Sequence, residues 1–496
     1  MVVGAWVLVA VGVALRLGST SPLWLDEALS ANIASLPVGD LLDALRRDGH
    51  PPLYYLLLHG WSGLFGEGDH AVRALSGVFG LATLPLVWFA GRRAGGPACA
   101  VGVTVLYATS PFAIRYSTET RMYSLVALLV VAGWLAVRRA QDRPTLARLA
   151  LVSLLAGLLL LTHYWSLFLL AAVGACLLAQ VVRDRLAGRP AGVPARLAVA
   201  LAAGAILFLP WLPAFLAQAG STGTPWGAPA RPAVMLFQTL GDWGGGPASE
   251  SLFLGLCLVL LGLLALLGRA VDTNRIELDL GTRPAARGEW AVAVLTLALA
   301  VVVSYASRAA FAGRYTAVIH PLVVLVAALG VVVLPGRRLR VAVVGAIALG
   351  GVGFGVANLL IDRTQAGQIA DAIAAEAGPD DVVAYCPDQL GPGTTRLLGD
   401  EPPGATFPEA GDPRFVDWVD YAARVEAGDP AAFADEVVER AGAGAVWLVW
   451  SGQYRTVEGV CEELVNALAA RRPGWSVVVE SGDQFEHAWL HRYAAP

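Results

Sequence analysis

The chain opens with the apolar stretch VVGAWVLVAVGVALRL at residues 2–17 and continues into SPLWLDEALS at residues 21–30. An apolar run followed at once by a doubly acidic segment is typical of a membrane span that ends at the water interface. The run has no small-residue cleavage signal, so we expect a retained first span. Ionisable groups at such a place are costly and usually serve a function. Asp26 and Glu27 are therefore candidate functional acids, although acids that begin a helix among lipid headgroups give the same pattern.

The composition of the whole chain agrees with a membrane protein. It has 496 residues, of which 56% are hydrophobic and 15% are charged, and its mean hydropathy is +0.61. Soluble domains carry about 25% charged residues. The sequence therefore predicts a polytopic membrane protein. All 35 of the Lys and Arg residues are arginine, so any phosphate clamp must use arginine or histidine.

Apolar blocks and arginine clusters together predict the topology. Residues 51–65 are short and carry His59 and two glycines, so we expect a juxtamembrane helix inside a first outer loop at residues 18–70. With the N-terminus cytoplasmic, every dense arginine cluster then falls on the cytoplasmic side, as the positive-inside bias requires. The sequence predicts about 11 transmembrane helices, at residues 2–17, 71–90, 98–112, 122–137, 146–161, 166–182, 197–215, 252–267, 290–304, 316–334 and 341–361.

The chain changes character after residue 361, where charged residues and prolines return. Residues 362–496 are predicted to form a small extracytoplasmic α/β domain beside the all-α membrane domain at residues 1–361. Cys386 and Cys461 lie in this part and could pair in an oxidising compartment, but spacing leaves the pairing open. We expect strands at residues 381–385, 445–449 and 476–480 and helices at 364–377 and 454–471.

Several arginines fall at the outer ends of the predicted spans, against the positive-inside bias. Guanidinium groups grip phosphate in a bidentate manner, so an anionic ligand at the outer leaflet explains the set. For any single member, a snorkelling or salt-bridged arginine is the alternative. A carboxylate base and cations beside a departing lipid phosphate favour displacement at a sugar anomeric carbon. The arginines are Arg73, Arg115, Arg121, Arg308 and Arg314.

The order of these polar segments resembles the GT-C class of glycosyltransferases, in the branch of protein O-mannosyltransferases and lipid A aminoarabinose transferases (family 39-like). The resemblance covers about the first 335 residues, and its specificity lies in the ordered set more than in any one motif. The segments are Leu25-Asp-Glu-Ala28, His50-Pro-Pro-Leu-Tyr-Tyr55, Arg73, Ser117-Thr-Glu-Thr-Arg-Met-Tyr123, Thr162-His-Tyr164 and Arg314-Tyr315.

The resemblance implies catalytic roles for three acids. Asp26 takes the place of the aspartate that acts as base or positions the acceptor, and Glu27 lies beside it. Glu119 takes the place of the acid in the second outer loop. In some members these two positions help to hold a divalent cation, which here would fall on Asp26 and Glu119. No other ligand set is evident, so the presence of a metal stays open.

The resemblance also implies a donor site. His50 and Arg314 take the places of residues that face the lipid phosphate. His163 is a further candidate, although a hydrogen-bonded packing histidine fits the same position. The full predicted set of donor-binding residues is His50, Arg73, Arg121, Tyr123, His163, Arg314 and Tyr315.

The sequence thus predicts a multi-pass glycosyltransferase of the cell envelope, in the cytoplasmic membrane. It would move a hexose or pentose from a polyprenyl-phosphate donor to an outer-face acceptor, with inversion. The acceptor would be a protein, as in protein glycosylation, a polysaccharide or a lipid, and no nucleic-acid partner is expected. A transporter or flippase of a lipid-linked or anionic substrate is the alternative, disfavoured because the acids lie in loops and not at mid-span. A catalytically dead scaffold is a third reading.

Overall fold

The computed structural model describes the whole chain except Met1 and residues 223–226, 228, 230, 247–249 and 273–274. The described part of residues 2–360 is mostly helical. Their helices are α1 Val2–Leu15, α2 Leu25–Ser35, α3 Val38–Asp48, α4 Leu53–Phe65, α5 Asp69–Ala108, α6 Pro111–Ser117, α7 Tyr123–Asp142, α8 Leu146–Leu160, α9 Ser166–Leu186, α10 Gly192–Gly204, α11 Leu212–Ser221, α12 Pro232–Gly244, α13 Ser251–Leu267, α14 Pro284–Ala306, α15 His320–Val333 and α16 Arg337–Leu360.

Within the described residues, six helical stretches are long and apolar enough to cross a membrane, and four more apolar helices are shorter. The six are Asp69–Ala108, Tyr123–Asp142, Ser166–Leu186, Gly192–Ser221, Pro284–Ala306 and Arg337–Leu360. This agrees with a mostly helical, multi-pass protein. The count of 11 spans stays a prediction.

Helix α5 contains a break that lets two apolar segments fold against each other. Gly96 has φ +76° and ψ −166°, a conformation that is open to glycine and costly for other residues, and Pro97 follows it. On either side of the break the backbones approach closely, since a Cβ placed on Gly91 would lie 2.9 Å from the Ala100 Cα atom. The predicted spans at 71–90 and 98–112 correspond to these two segments.

The C-terminal end of α5 is held by a buried arginine from the end of the first helix. Arg16 donates to the carbonyl oxygens of Ala108 at 2.6 Å and Tyr107 at 2.8 Å. The last carbonyls of a helix lack partners within it, and a guanidinium can satisfy them without water. Arg16 therefore joins α1 to the end of α5.

The segment at residues 18–70, predicted to be the first outer loop, folds as three short helices, α2, α3 and α4, on one end of the bundle. The juxtamembrane helix predicted at residues 51–65 is observed as α4. Helix α2 is almost fully buried, because α4 packs on one side of it and the C-terminal part of the chain on the other.

Residues after 360 contain a five-stranded sheet with helices on both faces. The elements are α17 Ala366–Glu376, β3 Val382–Cys386, α18 Gly391–Leu398, β4 Gly404–Thr406, α19 Tyr421–Ala427, α20 Pro430–Ala441, β5 Val446–Trp450, α21 Val460–Arg471, β6 Trp475–Val479 and β7 Trp489–Tyr493. A separate hairpin is formed by β1 Gly268–Ala270 and β2 Ile276–Leu278.

The strand order in the five-stranded sheet is β4-β3-β5-β7-β6; β3 runs parallel to β4 and β5, and β7 runs antiparallel to β5 and β6. Elements observed close to the predicted ones are β3, β5, β6, α17 and α21, whereas β7 was not predicted.

Successive side chains of β3 and β5 point to opposite faces of the sheet, which explains why helices cover both faces. Val383 and Tyr385 face Ile369 and Ile373 of α17, while Val382 and Ala384 face the side covered by α20 and α21. Side chains on a strand point to opposite faces in turn, so both faces of these apolar strands need cover. Cys386 and Cys461 form a disulfide that ties β3 to α21, which settles the pairing that the sequence left open. The division into domains at residue 361 stays a prediction.

Candidate functional site

A cavity of about 680 Å³ lies between the helical bundle and the C-terminal part of the chain. Six of the predicted site residues line it. On the bundle side its wall includes the start of α2, the turn before α4, the turn before α7, the loop between α8 and α9, and the turn before α15. The six residues are Asp26, His50, Arg121, His163, Arg314 and Tyr315.

Asp26 is in the first turn of α2, and its carboxylate lies between two arginines. Its Oδ2 atom is 3.3 Å from Arg314 Nη2 and 3.9 Å from Arg121 Nε. Arg314 also lies over the Trp24 ring at 5.6 Å from its centroid. The Asp26 carboxyl group therefore lies at the edge of a wall formed by two arginines, where an incoming anion would compete with it for the same guanidinium groups.

Arg121 is fixed by a chain of hydrogen bonds that runs through His50. The Arg121 Nη2 atom lies 2.8 Å from His50 Nε2, and His50 Nδ1 lies 2.7 Å from Asp48 Oδ2. The Tyr55 hydroxyl donates to the same Asp48 oxygen at 2.9 Å. Since an arginine only donates, His50 accepts through Nε2 and carries its proton on Nδ1. His50 thus orients Arg121, and neither of its ring nitrogens is left over for a phosphate in this arrangement.

His163 and Tyr315 line the cavity beside these cations. His163 Nδ1 accepts from the backbone N–H of Trp165 at 3.1 Å, so the proton lies on Nε2. Burial, together with the nearby positive charges of Arg121 and Arg314, holds the pKa of His163 well below its usual value. His163 is therefore neutral, and its ring centroid lies 5.5 Å from that of Tyr315.

The remaining predicted site residues lie behind the cavity, outside its described wall: Glu27, Arg73, Glu119 and Tyr123. Glu27 has 0% exposure and accepts from Arg73 Nε at 2.8 Å, from Arg73 Nη2 at 2.6 Å and from the Thr120 N–H at 2.8 Å. Arg73 also donates to the Ser21 and Pro22 carbonyls. This pair is fully engaged, which favours a structural role that joins α2 to α5.

Glu119 is enclosed by two arginines. Its Oε1 atom lies 3.0 Å from Arg363 Nη1 and 3.3 Å from Arg115 Nε. Arg363 follows α16 and was not predicted as a site residue, although it comes just after the last predicted span. Tyr123 is buried next to this network, and its hydroxyl has no hydrogen-bond partner among the described residues.

A divalent cation held by Asp26 and Glu119 does not fit this arrangement. Each carboxylate already has a guanidinium nitrogen at 3.0–3.3 Å, and a bound metal would be repelled by that charge. In the described part of the chain, no three His, Cys, Asp or Glu side chains come together in a way that could hold a metal. We assign no step to a metal ion.

The opposite wall of the cavity comes from the C-terminal part of the chain, which sequence reasoning did not connect to specific residues. Its chemistry is aromatic, amide and acidic. Phe485 is 70% exposed and meets Trp24 edge to face, with 5.4 Å between ring centroids. The residues of this wall are Gln389, Trp418, Gln453, Tyr454, Phe485, Glu486 and His487.

Comparisons with known proteins place this fold among membrane glycosyltransferases. Residues 49–213, less than half of the chain, match the family described as dolichyl-phosphate-mannose-protein mannosyltransferase. No curated protein matches the chain in sequence.

The chain is also similar to solved structures along almost its full length. ArnT from Cupriavidus metallidurans in the apo state superposes with a TM-score of 0.66 and 14% identity, covering 99% of this chain and 98% of that one. ArnT bound to undecaprenyl phosphate gives 0.64 and 14%, with 99% and 97% covered. The Archaeoglobus fulgidus oligosaccharyltransferase in complex with Zn and sulfate gives 0.54 and 12%, with 90% and 67% covered.

Identities this low establish the fold alone. The resemblance to the GT-C class predicted from the sequence is confirmed by the family match and by the likeness to ArnT. The predicted enzyme class, a glycosyltransferase, agrees with both findings.

Proposed function

We propose that this chain is an integral-membrane glycosyltransferase that moves a sugar from a polyprenyl-phosphate donor onto an acceptor hydroxyl. The observation that carries the proposal is the pairing of Asp26 with Arg314 at 3.3 Å in the wall of the cavity, with Arg121 on the same wall. A base and two fixed cations are what displacement of a lipid phosphate needs. ArnT, which shares the fold, has been solved with undecaprenyl phosphate.

The proposed reaction is a single inverting displacement. The acceptor oxygen attacks the anomeric carbon on the face opposite the phosphate, and its proton passes to the Asp26 carboxylate. The bond between the anomeric carbon and the phosphate oxygen breaks, and its electron pair leaves with the lipid phosphate. Arg314 and Arg121 balance the charge that develops there, and His50 keeps Arg121 in place.

The contact between Arg314 and Asp26 explains how donor binding makes the Asp26 carboxylate available as a base. In the free protein Arg314 is engaged with the Asp26 carboxylate. A phosphate that takes over Arg314 releases this carboxylate to accept a hydrogen bond from the acceptor. The two substrates are thereby coupled through one guanidinium group.

We place the reaction on the outer face of the cytoplasmic membrane, with the N-terminus inside and the C-terminal part outside. The disulfide between Cys386 and Cys461 supports this orientation, because disulfides persist in oxidising compartments. The wall of Gln389, Trp418, Gln453 and Tyr454 faces the cationic wall and is suited to hold the acceptor. The acceptor is a protein, a polysaccharide or a lipid with a free hydroxyl.

The test compares membranes that hold the wild-type chain with membranes that hold Asp26→Asn. Both receive radiolabelled polyprenyl-phosphate sugars and a cell-envelope extract. We expect label to reach an acceptor with the wild type, and transfer to fall at least 100-fold with Asp26→Asn, since general-base catalysis supplies about 10²–10⁴-fold. Asp40→Asn, an exposed acid in the same loop, is the matched control and should transfer normally.

Equal transfer by the wild type and Asp26→Asn would remove Asp26 from the base role. If the wild type consumes no donor but carries the lipid-linked sugar across the bilayer of a vesicle, the chain is a transporter and the proposal is wrong.

A further inference from the structure

We infer that Glu486, in the C-terminal part of the chain, is a positioning residue that holds the first turn of α2 so that Asp26 faces the cavity. This inference rests on the proposed function, because it assigns Asp26 a catalytic part. It connects the C-terminal part of the chain to the reaction itself, beyond acceptor binding.

The contact that carries the inference is a hydrogen bond to the residue just before the proposed base. The backbone N–H of Leu25 donates to Glu486 Oε2 at 2.6 Å. Leu25 is the first residue of α2, and no side chain within the loop caps this helix. The first N–H groups of a helix have no partner inside it, and an acid there is favoured by the helix dipole. Glu486 supplies that acid from a residue distant in sequence.

The loop that carries Glu486 is itself fixed from both sides. The Glu486 N–H donates to the Arg363 carbonyl at 2.9 Å, and the Gln365 N–H donates to the Glu486 carbonyl at 3.0 Å. Gln365 Oε1 accepts from the N–H groups of Gly482 and Ala488, both at 2.9 Å. A side chain held this firmly can define the position of the helix it caps.

Phe485, the residue before Glu486, also contacts the segment that precedes Asp26. Phe485 packs edge to face on Trp24, which precedes Leu25. Two successive residues of the C-terminal loop thus contact the two residues before Asp26. The proposed base is located jointly by α2 and by this loop.

Two substitutions at Glu486 separate the effect of its hydrogen bond from the effect of its charge. Burial, with smaller contributions from Asp26 and Glu27, raises the pKa of Glu486 to about 7, although the hydrogen bonds from Leu25 and Thr364 act in the opposite sense. Glutamine has the shape of the neutral acid and keeps an oxygen that accepts from Leu25. Alanine removes the acceptor. A positioning role therefore predicts that Glu486→Gln keeps its transferase activity and that Glu486→Ala loses most of it.

The experiment measures the rate of transfer as a function of donor concentration for the full-length wild type, Glu486→Gln, Glu486→Ala and Glu480→Ala. Glu480 is an exposed acid a few residues away and controls for the loss of charge. We expect kcat to fall about 10–100-fold in Glu486→Ala, with the KM for donor within about twofold, because misplacing a reacting group by about 1 Å costs about 10²-fold. Glu486→Gln should keep kcat within about threefold of the wild type, and Glu480→Ala should match it.

Hydrogen exchange on the same proteins reports on the position of α2 independently of transferase activity. The amide of Leu25 should exchange at least 10-fold faster in Glu486→Ala and at the wild-type rate in Glu486→Gln. Normal exchange and normal kcat in Glu486→Ala would overturn the inference while leaving transferase activity intact. Equal loss of kcat in the glutamine and alanine variants would also overturn it, since the charge would then matter and not the hydrogen bond. A wild type without transferase activity would instead overturn the proposed function, and with it the catalytic meaning of Glu486.

Discussion

Adjacent acids at residues 26 and 27 end up in opposite environments because successive residues of a helix point in directions about 100° apart. Asp26 faces the cavity and lies 3.3 Å from Arg314, whereas Glu27 has 0% exposure and is bound by Arg73. One acid is therefore available to a substrate and the other is part of the protein's internal support. Sequence alone could not separate them.

Replacing one member of the Glu27–Arg73 pair should destabilise the fold strongly. Glu27→Gln leaves the Arg73 guanidinium buried with a weaker partner, and breaking a buried ion pair from one side costs about 3–5 kcal/mol. The double variant Glu27→Leu with Arg73→Met should recover part of that loss, because no unpaired charge remains. Both effects are tested by measuring the free energy of unfolding of the variants in detergent. Arg308→Ala, at an exposed arginine, is the control. A Glu27→Gln protein as stable as the wild type would contradict the structural role.

Asp388 gives a pH dependence with a definite sign. It is buried and accepts from the Tyr421 hydroxyl at 2.6 Å, and burial raises its pKa from 3.8 to about 7. Between these two values the folded state keeps a proton that the unfolded state has lost. Stability from this group is therefore full below about pH 4, falls as pH rises to about 7, and is constant above.

The expected size of this loss is about 1–4 kcal/mol. Asp388→Asn should flatten the curve of unfolding midpoint against pH between pH 4 and 7, while Asp400→Asn, at an exposed aspartate, should leave the slope unchanged. A slope that persists in Asp388→Asn would show that another group is responsible.

At the level of the elements, turns and breaks decide which polar residues meet. Arg314 lies in the short turn before α15, Arg121 in the turn before α7, and His50 in the turn before α4. Each of these turns opens toward the start of α2, so residues from four separate parts of the sequence share one cavity.

The break in α5 should be sensitive to backbone conformation and not to volume. A Cβ on Gly96 would meet nothing within 4 Å, yet its φ of +76° with ψ −166° disfavours any other residue. Gly96→Ala should destabilise the protein by about 1–3 kcal/mol. Gly133→Ala is the matched control: it also has open space, but it lies in the regular helix α7, where alanine should stabilise by up to about 1 kcal/mol. A thermal-unfolding series reads both, and equal effects of the two substitutions would contradict the account of the break.

The sequence predicted much of the helical part because span length, hydropathy and arginine bias are local signals. It also named Arg121, His163 and Arg314, which the structure places in the wall of one cavity, because they occur in an ordered set of polar segments. It could not separate the cavity-facing Asp26 from the enclosed Glu27 and Glu119, because that depends on packing. It missed strand β7, whose sequence Trp489-Leu-His-Arg-Tyr493 mixes polar and apolar residues on both faces, and it missed Glu486, whose partner is 461 residues away.

At the scale of the whole molecule, two structurally different parts of the chain close one cavity. The helical bundle supplies the cations and the proposed base, and the C-terminal part supplies aromatic and amide groups together with the contact to Leu25. Further contacts between the parts include Asn32 with the Arg414 carbonyl at 2.9 Å and the Asp420 N–H with the Ser221 carbonyl at 2.9 Å. The cavity therefore depends on how the two parts pack.

We propose that Arg314 binds the lipid phosphate while Asp26 acts on the acceptor. The measurement that tests it most directly is the Kd of polyprenyl phosphate for the purified wild type, Arg314→Ala and Asp26→Asn. We predict that Arg314→Ala binds at least 10-fold more weakly, because a charge-assisted contact is worth about 1.5–3 kcal/mol. Asp26→Asn should bind as tightly as the wild type or more tightly, because its side chain no longer competes for Arg314 at 3.3 Å. Equal weakening in both variants, or unchanged binding in Arg314→Ala, would contradict this division of roles.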